Sequence, residues 1–262
     1  MLYCAARPLS NCEIDVTGTT APGRFPEREL ACQISAIEPL NHDVSRVWLR
    51  LPAGTTLGWH AGQYLMLRLA QGDCPFSIAN ACLDENRELE LHVRHNNENP
   101  ASLEVMEELR NNAVVTIRGP GGERFIGEEL PQRPVWFVCG STGFAPAKAM
   151  IETLLARGFD RDIRLYWGAR TGEDLYLSAL AERWAATGRV DYHPVLSESN
   201  EASTRTGLVH QAVIEDLDEP EAPLFHVGGS PAMAWAVFDA LRAAGVPGEQ
   251  IHSDVFDYAP RE

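Results

Sequence analysis

The chain is short of positive charge. Against 37 acidic side chains it sets 22 lysines and arginines, for a formal net charge of −15, and the basic residues fall singly rather than in clusters. Affinity for a phosphate backbone needs clustered cations, so a nucleic-acid binder is excluded and any phosphate must be held locally. Such acidity reads as a solubilising surface or as a docking face for a basic partner. Paired cysteines are missing too: Cys4, Cys12, Cys32, Cys74, Cys82 and Cys139 form no C-x-x-C and no disulfide framework. The opening Met1-Leu2-Tyr3-Cys4 lacks the basic and apolar regions of a signal peptide, so a cytoplasmic location is expected. No run approaches the roughly 20 apolar residues of a membrane helix, and a soluble or peripheral protein follows. A G-x-S-x-G elbow, an H-E-x-x-H helix and a Walker loop are absent. His92 and His95 stand three apart on a predicted strand and face opposite ways, so they cannot share a metal, and no metal site is expected.

What is present divides into two grammars. The 262 residues suffice for two cores. From Glu29 to Arg118, short β-rich runs recur between turn signals: Leu30 to Ile37, Val44 to Leu51, Gln63 to Leu69, Pro75 to Ala79, Glu88 to Arg94 and Ala113 to Arg118. Even spacing of this kind predicts a small antiparallel barrel or sandwich, with one helix near Ser102 to Leu109. Beyond Pro131 and Pro134, five apolar strands alternate with helical stretches, predicting a five-stranded parallel sheet with helices on both faces. The expected division is a tail over residues 1–26, a β domain over 27–130 and an α/β domain over 131–262. Thr17 to Arg24, with Gly18, Pro22 and Gly23, reads as a linker.

Two peptides carry the chemistry. The strand Val135 to Cys139 runs into Gly140-Ser141-Thr142-Gly143-Phe144-Ala145-Pro146 and then a helix, which would put backbone N–H groups where a pyrophosphate can sit. The spacing is not G-x-G-x-x-G, and such a turn can also be purely structural. In the β half, Cys74-Pro75-Phe76-Ser77 offers an aromatic ring and a hydroxyl to a planar ligand, or else is an ordinary core strand.

With Gly62-Gln63-Tyr64, Leu91-His92-Val93-Arg94, Gly119 to Gly122, Tyr166 to Arg170 and Gly228 to Met233 in the same order, residues 27–258 resemble the ferredoxin-NADP reductase superfamily. The similarity is strongest to bacterial NAD(P)H:flavin reductases and to the reductase components of oxygenases. The resemblance implies a barrel that holds FAD, with Phe76 against the isoalloxazine and Ser77, the catalytic candidate, near flavin N5, and with Tyr64 and Pro75 among the cofactor-binding residues. It places His92, Val93 and Arg94 along the flavin and Ser102 toward its pyrophosphate. It assigns Gly140, Ser141, Thr142, Gly143, Phe144 and Arg170 to the nicotinamide dinucleotide, and adds Gly229, Met233 and Phe256 to the cofactor-binding set. The Gly168-Ala169-Arg170 phrase followed by Asp174 resembles NADH users more than NADPH users.

The chain also departs from the family. Cys74 stands where the family strand begins with an Arg that clamps the FAD pyrophosphate, so FAD is expected to be held loosely unless Arg94 or Arg124 supplies the charge, with FMN or riboflavin as alternatives. Gly228 stands where a Cys often faces the nicotinamide. Leu2 to Ser10 resembles the close of a plant-type [2Fe-2S] ferredoxin domain, with Cys4 at the place of one ligand; C-x4-C-x2-C is absent, so no cluster can assemble on this sequence alone. The expectation is a flavin-dependent NAD(P)H oxidoreductase passing electrons to free flavin or a redox protein. The alternatives are an oxygenase reductase component, with a ferredoxin or oxygenase partner, whose ferredoxin domain is cut away here, and a non-catalytic flavin- or nucleotide-binding subunit.

Overall fold

A computed structural model of the chain describes residues 25–82, 87–96, 99–198, 204–220 and 222–261. Cys4, Cys12 and the linker from Thr17 to Arg24 lie outside the described residues, and so does Asn97.

The first sheet is antiparallel and contains β1 (Arg28–Pro39), β2 (Val44–Arg50), β3 (Tyr64–Leu69), β4 (Gly72–Ser77), β5 (Glu88–Arg94) and β6 (Val114–Gly121), in the order β4-β3-β6-β1-β2-β5. Period-two alternation drives it: Leu65, Leu67 and Leu69 of β3, Val47 and Leu49 of β2, and Leu89, Leu91 and Val93 of β5 point into one core. The sheet curls until its two edges meet. There the Ala79 N–H donates to the Glu90 carbonyl at 2.7 Å, and the Asn80 side chain bonds the backbone of Glu88 and Glu90. Helix α1 (Pro100–Asn111) buries Val105, Met106 and Leu109 in the same core.

The second sheet is parallel: β7 (Val135–Gly140), β8 (Ile163–Ala169), β9 (Asp191–Leu196), β10 (Arg205–Thr206), β11 (Leu224–Gly228) and β12 (Ile251–His252), in the order β10-β9-β8-β7-β11-β12. The five expected strands are joined by a sixth, β10. It has only two residues, too few to carry a periodic signal, and is held by pairing with β9 and by Arg205 bonding Glu215 at 2.7 Å and Asp216 at 2.6 Å. Helices cover both faces. On β7, Val135, Phe137 and Cys139 pack toward α2 (Phe144–Ala156) and α3 (Ser178–Ala186). Trp136 and Val138 pack toward α4 (Val209–Glu215), α5 (Pro231–Ala243) and α6 (Val255–Tyr258).

The turn from β7 into α2 has no room for side chains. A Cβ added at Gly143 would overlap the carbonyl of Gly228 on the neighbouring strand. Gly143→Ala is therefore expected to lower stability by roughly 1–3 kcal/mol, the usual result of overpacking. Denaturant unfolding of the variant checks this, and a change under about 0.5 kcal/mol, the range of an ordinary surface substitution, contradicts it.

Candidate functional site

Register sorts the β4 peptide into two faces. Ser77 pairs with Tyr64, Phe76 with Leu65, and Pro75 with Met66, so Ser77, Tyr64 and Pro75 share the outward face. Phe76 and Cys74 lie half-buried against the barrel core. The Tyr64 ring covers Gly121 and Gly122; a Cβ at Gly121 would stand 3.0 Å from it, and Gly122 takes φ +98°, where glycine is favoured. Burial pushes the Tyr64 phenol up, as do the charges of Asp254 and Asp257.

Strand β5 corrects one expectation. Val93 is buried in the barrel core, and the His92 imidazole is closed off between the two sheets rather than open to a ligand. His92 Nδ1 lies 2.9 Å from the Tyr176 hydroxyl and Nε2 lies 3.0 Å from Glu90 Oε1. Burial lowers the His92 pKa, so the neutral ring donates from Nε2 to Glu90 and accepts from Tyr176. Glu90 also accepts from Lys148 Nζ at 2.8 Å and is ion-paired with the Arg46 guanidinium, whose Nε lies 2.9 Å from Oε1. Burial alone would raise its pKa, but the bond from His92 and the Lys148 charge outweigh it and hold the carboxyl at about 2. Arg94, at the end of the strand, gives its Nε to Asp43 at 2.7 Å. The His95 ring turns to the Ser45 hydroxyl, away from His92.

On the parallel sheet, Ser141 sits at φ +50°, a strained value for a residue with a side chain, and its carbonyl accepts from Trp167 Nε1 at 3.3 Å. Gly140, Ser141, Thr142 and Gly143 are half-buried at the mouth of α2, which has no side-chain N-cap, so no side chain claims its first N–H groups. Met233 lies over Gly140 and Gly229. Phe144 does not join this rim: it is fully buried and stacked on Trp167 with centroids 3.9 Å apart, because an aromatic at the first helical turn is drawn into the core beneath the sheet. Arg170 Nε faces Asp174 at 3.4 Å. Phe256 packs on Trp235 and Phe238, away from the glycines, and the Ser102 hydroxyl donates to Asn99 O within the first turn of α1.

Where the two halves meet, a small cleft is lined by Gly62 and Arg124 from the barrel side and by Gly143, Gly228, His226 and Asp254 from the other. Sequence reasoning did not single out the last two. Asp254 has a buried oxygen with no partner, and burial plus the charge of Asp257 raises its pKa to about 6. His226, buried on β11 and stacked on Phe137, is kept neutral with a pKa of about 3 by burial and by His252. Their only sequence signal was a polar residue in an apolar strand and an acid just past one. Elsewhere His42, Asp43 and Asp174 converge as three groups able to meet a cation, but Asp43 is engaged by Arg94 and Asp174 by Arg170.

The donor set fits dinucleotide cofactors: no side chain caps the α2 N-terminus beside Gly143, Asp254 and His226 carry unpartnered polar atoms in the cleft, and the β3–β4 face presents the Ser77 hydroxyl and the Tyr64 phenol. Residues 31–125 match the model of an oxidoreductase FAD-binding domain, and residues 137–239 that of an oxidoreductase NAD-binding domain. The chain is 34% identical over 260 residues to a CDP-6-deoxy-L-threo-D-glycero-4-hexulose-3-dehydrase reductase of Yersinia pestis, covering 98% of this chain and 77% of that protein. It is 31% identical over 217 residues to an NAD(P)H-flavin reductase of Vibrio harveyi, covering 79% of this chain and 89% of that one. Among solved structures, a cytochrome P450 reductase of Amycolatopsis superposes with a TM-score of 0.78 at 30% identity, over 95% of this chain and 76% of the other.

The buried histidine makes the site acid-sensitive. An imidazole held at about 3 when folded and near 6.5 when unfolded binds its proton first in the unfolded chain. The stability it permits is therefore complete above about pH 6.5 and falls by about 2 kcal/mol by pH 5. His226→Gln is expected to flatten that fall between pH 7 and pH 5 in thermal unfolding; equal slopes for the two proteins contradict it.

Proposed function

The chain belongs to the ferredoxin reductase family of FAD- and NAD-binding oxidoreductases, and from that premise we propose that it takes hydride from NADH onto a loosely held flavin that can leave as a product. Cys74 is the observation that carries the loose grip. Its thiol lies half-buried, bonded to the Gly72 carbonyl at 3.8 Å, and burial together with Asp73 raises its pKa, so it presents no charge to a pyrophosphate. Of the two cations that could take over, Arg94 is engaged by Asp43, and Arg124 stands 4.0 Å from Asp257 with its Nε unpartnered at the cleft. When bound, FAD accepts hydride at N5 and passes electrons on as a pair or singly.

In this reading the Ser77 hydroxyl and the Tyr64 phenol orient the flavin from the barrel face, while Gly140 to Gly143, Gly229 and Met233 seat the dinucleotide on uncapped N–H groups. The flavin domain is taken as residues 27–130 and the nucleotide domain as 131–262. NADH is favoured over NADPH because Asp174 beside Arg170 both neutralises the guanidinium and repels a 2′-phosphate. Among the described residues no helix is long and apolar enough to cross a membrane. A cytoplasmic setting, where NADH is at hand, belongs to the same reading.

A second reading, delivery to a ferredoxin or oxygenase partner, draws on the likeness to a cytochrome P450 reductase over 95% of the chain. A non-catalytic binding subunit is disfavoured by the retained Ser77 and glycine turn, and by relatives named as reductases.

On gel filtration flavin is expected to separate from the protein, and NADH oxidation to saturate with added FAD, FMN or riboflavin at a higher kcat/KM than NADPH oxidation. Cys74→Arg should tighten FAD about tenfold or more, the worth of a charge-assisted contact of roughly 1.5–3 kcal/mol. Stoichiometric FAD that stays on the wild-type protein overturns the loose grip. Failure of NADH to bleach added flavin overturns hydride transfer, and turnover only with a one-electron dye shifts the assignment to the second reading.

A further inference from the structure

Of the 22 basic residues in the sequence, 21 are arginines and one is a lysine, Lys148. That lysine is buried, with its side chain 7% exposed, in the second turn of α2 among Ala147, Ala149 and Ile151. Neighbours of this kind call for an aliphatic side chain, and removing an ammonium from water is unfavourable unless every donor finds a partner. Here every donor does. Lys148 Nζ donates to the Ala79 carbonyl at 3.1 Å, to Glu90 Oε2 at 2.8 Å and to Glu152 Oε2 at 3.2 Å. Two of the three partners belong to the barrel and the third to its own helix.

The placement of these bonds gives them their consequence. Ala79 is two residues beyond Ser77, and its peptide is held on both sides, its N–H by the Glu90 carbonyl and its C=O by Lys148. Lys148 is five residues beyond Gly143, on the helix that the glycine turn opens. Glu90, meanwhile, is pinned by Arg46 and, through His92, tied to Tyr176 in the loop before α3. A methionine at 148 would fill the same volume without desolvating a charge, but it could not fix a distance or a register; three directed charge-assisted bonds can.

We infer that Lys148 is a positioning residue for hydride transfer: a buried clamp that sets the Ser77 strand of the flavin wall against the glycine turn of the nicotinamide wall. All three of its donors are taken within the protein, so it binds no substrate. The inference rests on the functional reading above, in which hydride passes from NADH, which is oxidised, to FAD, which is reduced. Such a step needs its reacting atoms at about 3–3.5 Å, and a displacement of about 1 Å slows it on the order of a hundredfold.

The test is anaerobic stopped-flow reduction of FAD by NADH at saturating concentrations of both, with flavin dissociation constants measured in parallel by fluorescence, in wild type, Lys148→Met and the double variant Glu90→Gln/Lys148→Met. The double variant removes the two buried charges together, leaves Arg46 its pair with Glu38 and the partly exposed Glu152 free to take up a proton, and keeps a carboxamide oxygen at 90 to accept from His92, and so serves if the single variant does not fold. The expected result is a hydride-transfer rate per bound flavin slower by about tenfold or more, with the FAD dissociation constant within about twofold of wild type. A merely structural lysine would lower the melting temperature and leave that rate unchanged. Rates within about twofold of wild type in the folded variants overturn the clamp, and so does a loss of FAD affinity that accounts for the whole loss of rate. A wild-type chain that fails to bleach flavin sinks the functional reading itself, an outcome distinct from failure of the clamp, which shows only in the variants.

Discussion

Glu90 is the point on which the two halves of the molecule turn. A carboxylate at 2% exposure would ordinarily take up a proton or be replaced by an apolar residue, yet this one stays charged because Lys148, Arg46 and the neutral His92 ring converge on it. The cluster draws on strands β2 and β5 of the barrel, on helix α2 and, through Tyr176, on the loop ahead of α3. Removal of any one member leaves the others short of a partner. Buried polar groups of this kind are satisfied in only one relative placement of the sheets, whereas the apolar contacts nearby, such as Val44, Ala61 and Ile126 against the α2 core, tolerate sliding.

The cleft that results is made of parts that are unfinished in their own domains. The α2 N-terminus lacks a side-chain cap, Ser141 is held in a left-handed conformation, and Asp254 and His226 carry buried polar atoms with no protein partner. Each is a local departure from good packing, and Gly143 at the α2 terminus, Asp254 and His226 line one opening. At this opening, local rules are broken where a ligand can complete them.

The family membership accounts for the cofactors, but the chain differs within it at the barrel edge. On the proposed reading, a half-buried thiol at position 74 in place of a clamping cation shifts the balance between holding a flavin and releasing it, while the strand that presents the flavin is unchanged. Weak retention and an intact hydride path are compatible, because the first depends on contacts to the pyrophosphate and the second on the Ser77 face and the glycine turn.

Much of this was legible in the residues. Period-two leucines in β3 and β5, the glycine turn after an apolar strand, and the missing Arg at 74 are local patterns, and local patterns determine strand faces, helix starts and the absence of a charge. The sequence by itself therefore determined the two-part architecture, an antiparallel sheet followed by a parallel one. It could not determine which side chains the walls would expose. Phe144 reads as a ligand contact until Trp167 stacks on it, and His92 reads as a flavin neighbour until Tyr176, 84 residues away, takes its free nitrogen. Lys148 and Glu90 are 58 residues apart and belong to different sheets, and nothing in either neighbourhood foretells the pair. Those assignments were made only by tertiary structure, because burial and pairing belong to the approach of distant segments rather than to any segment's own periodicity.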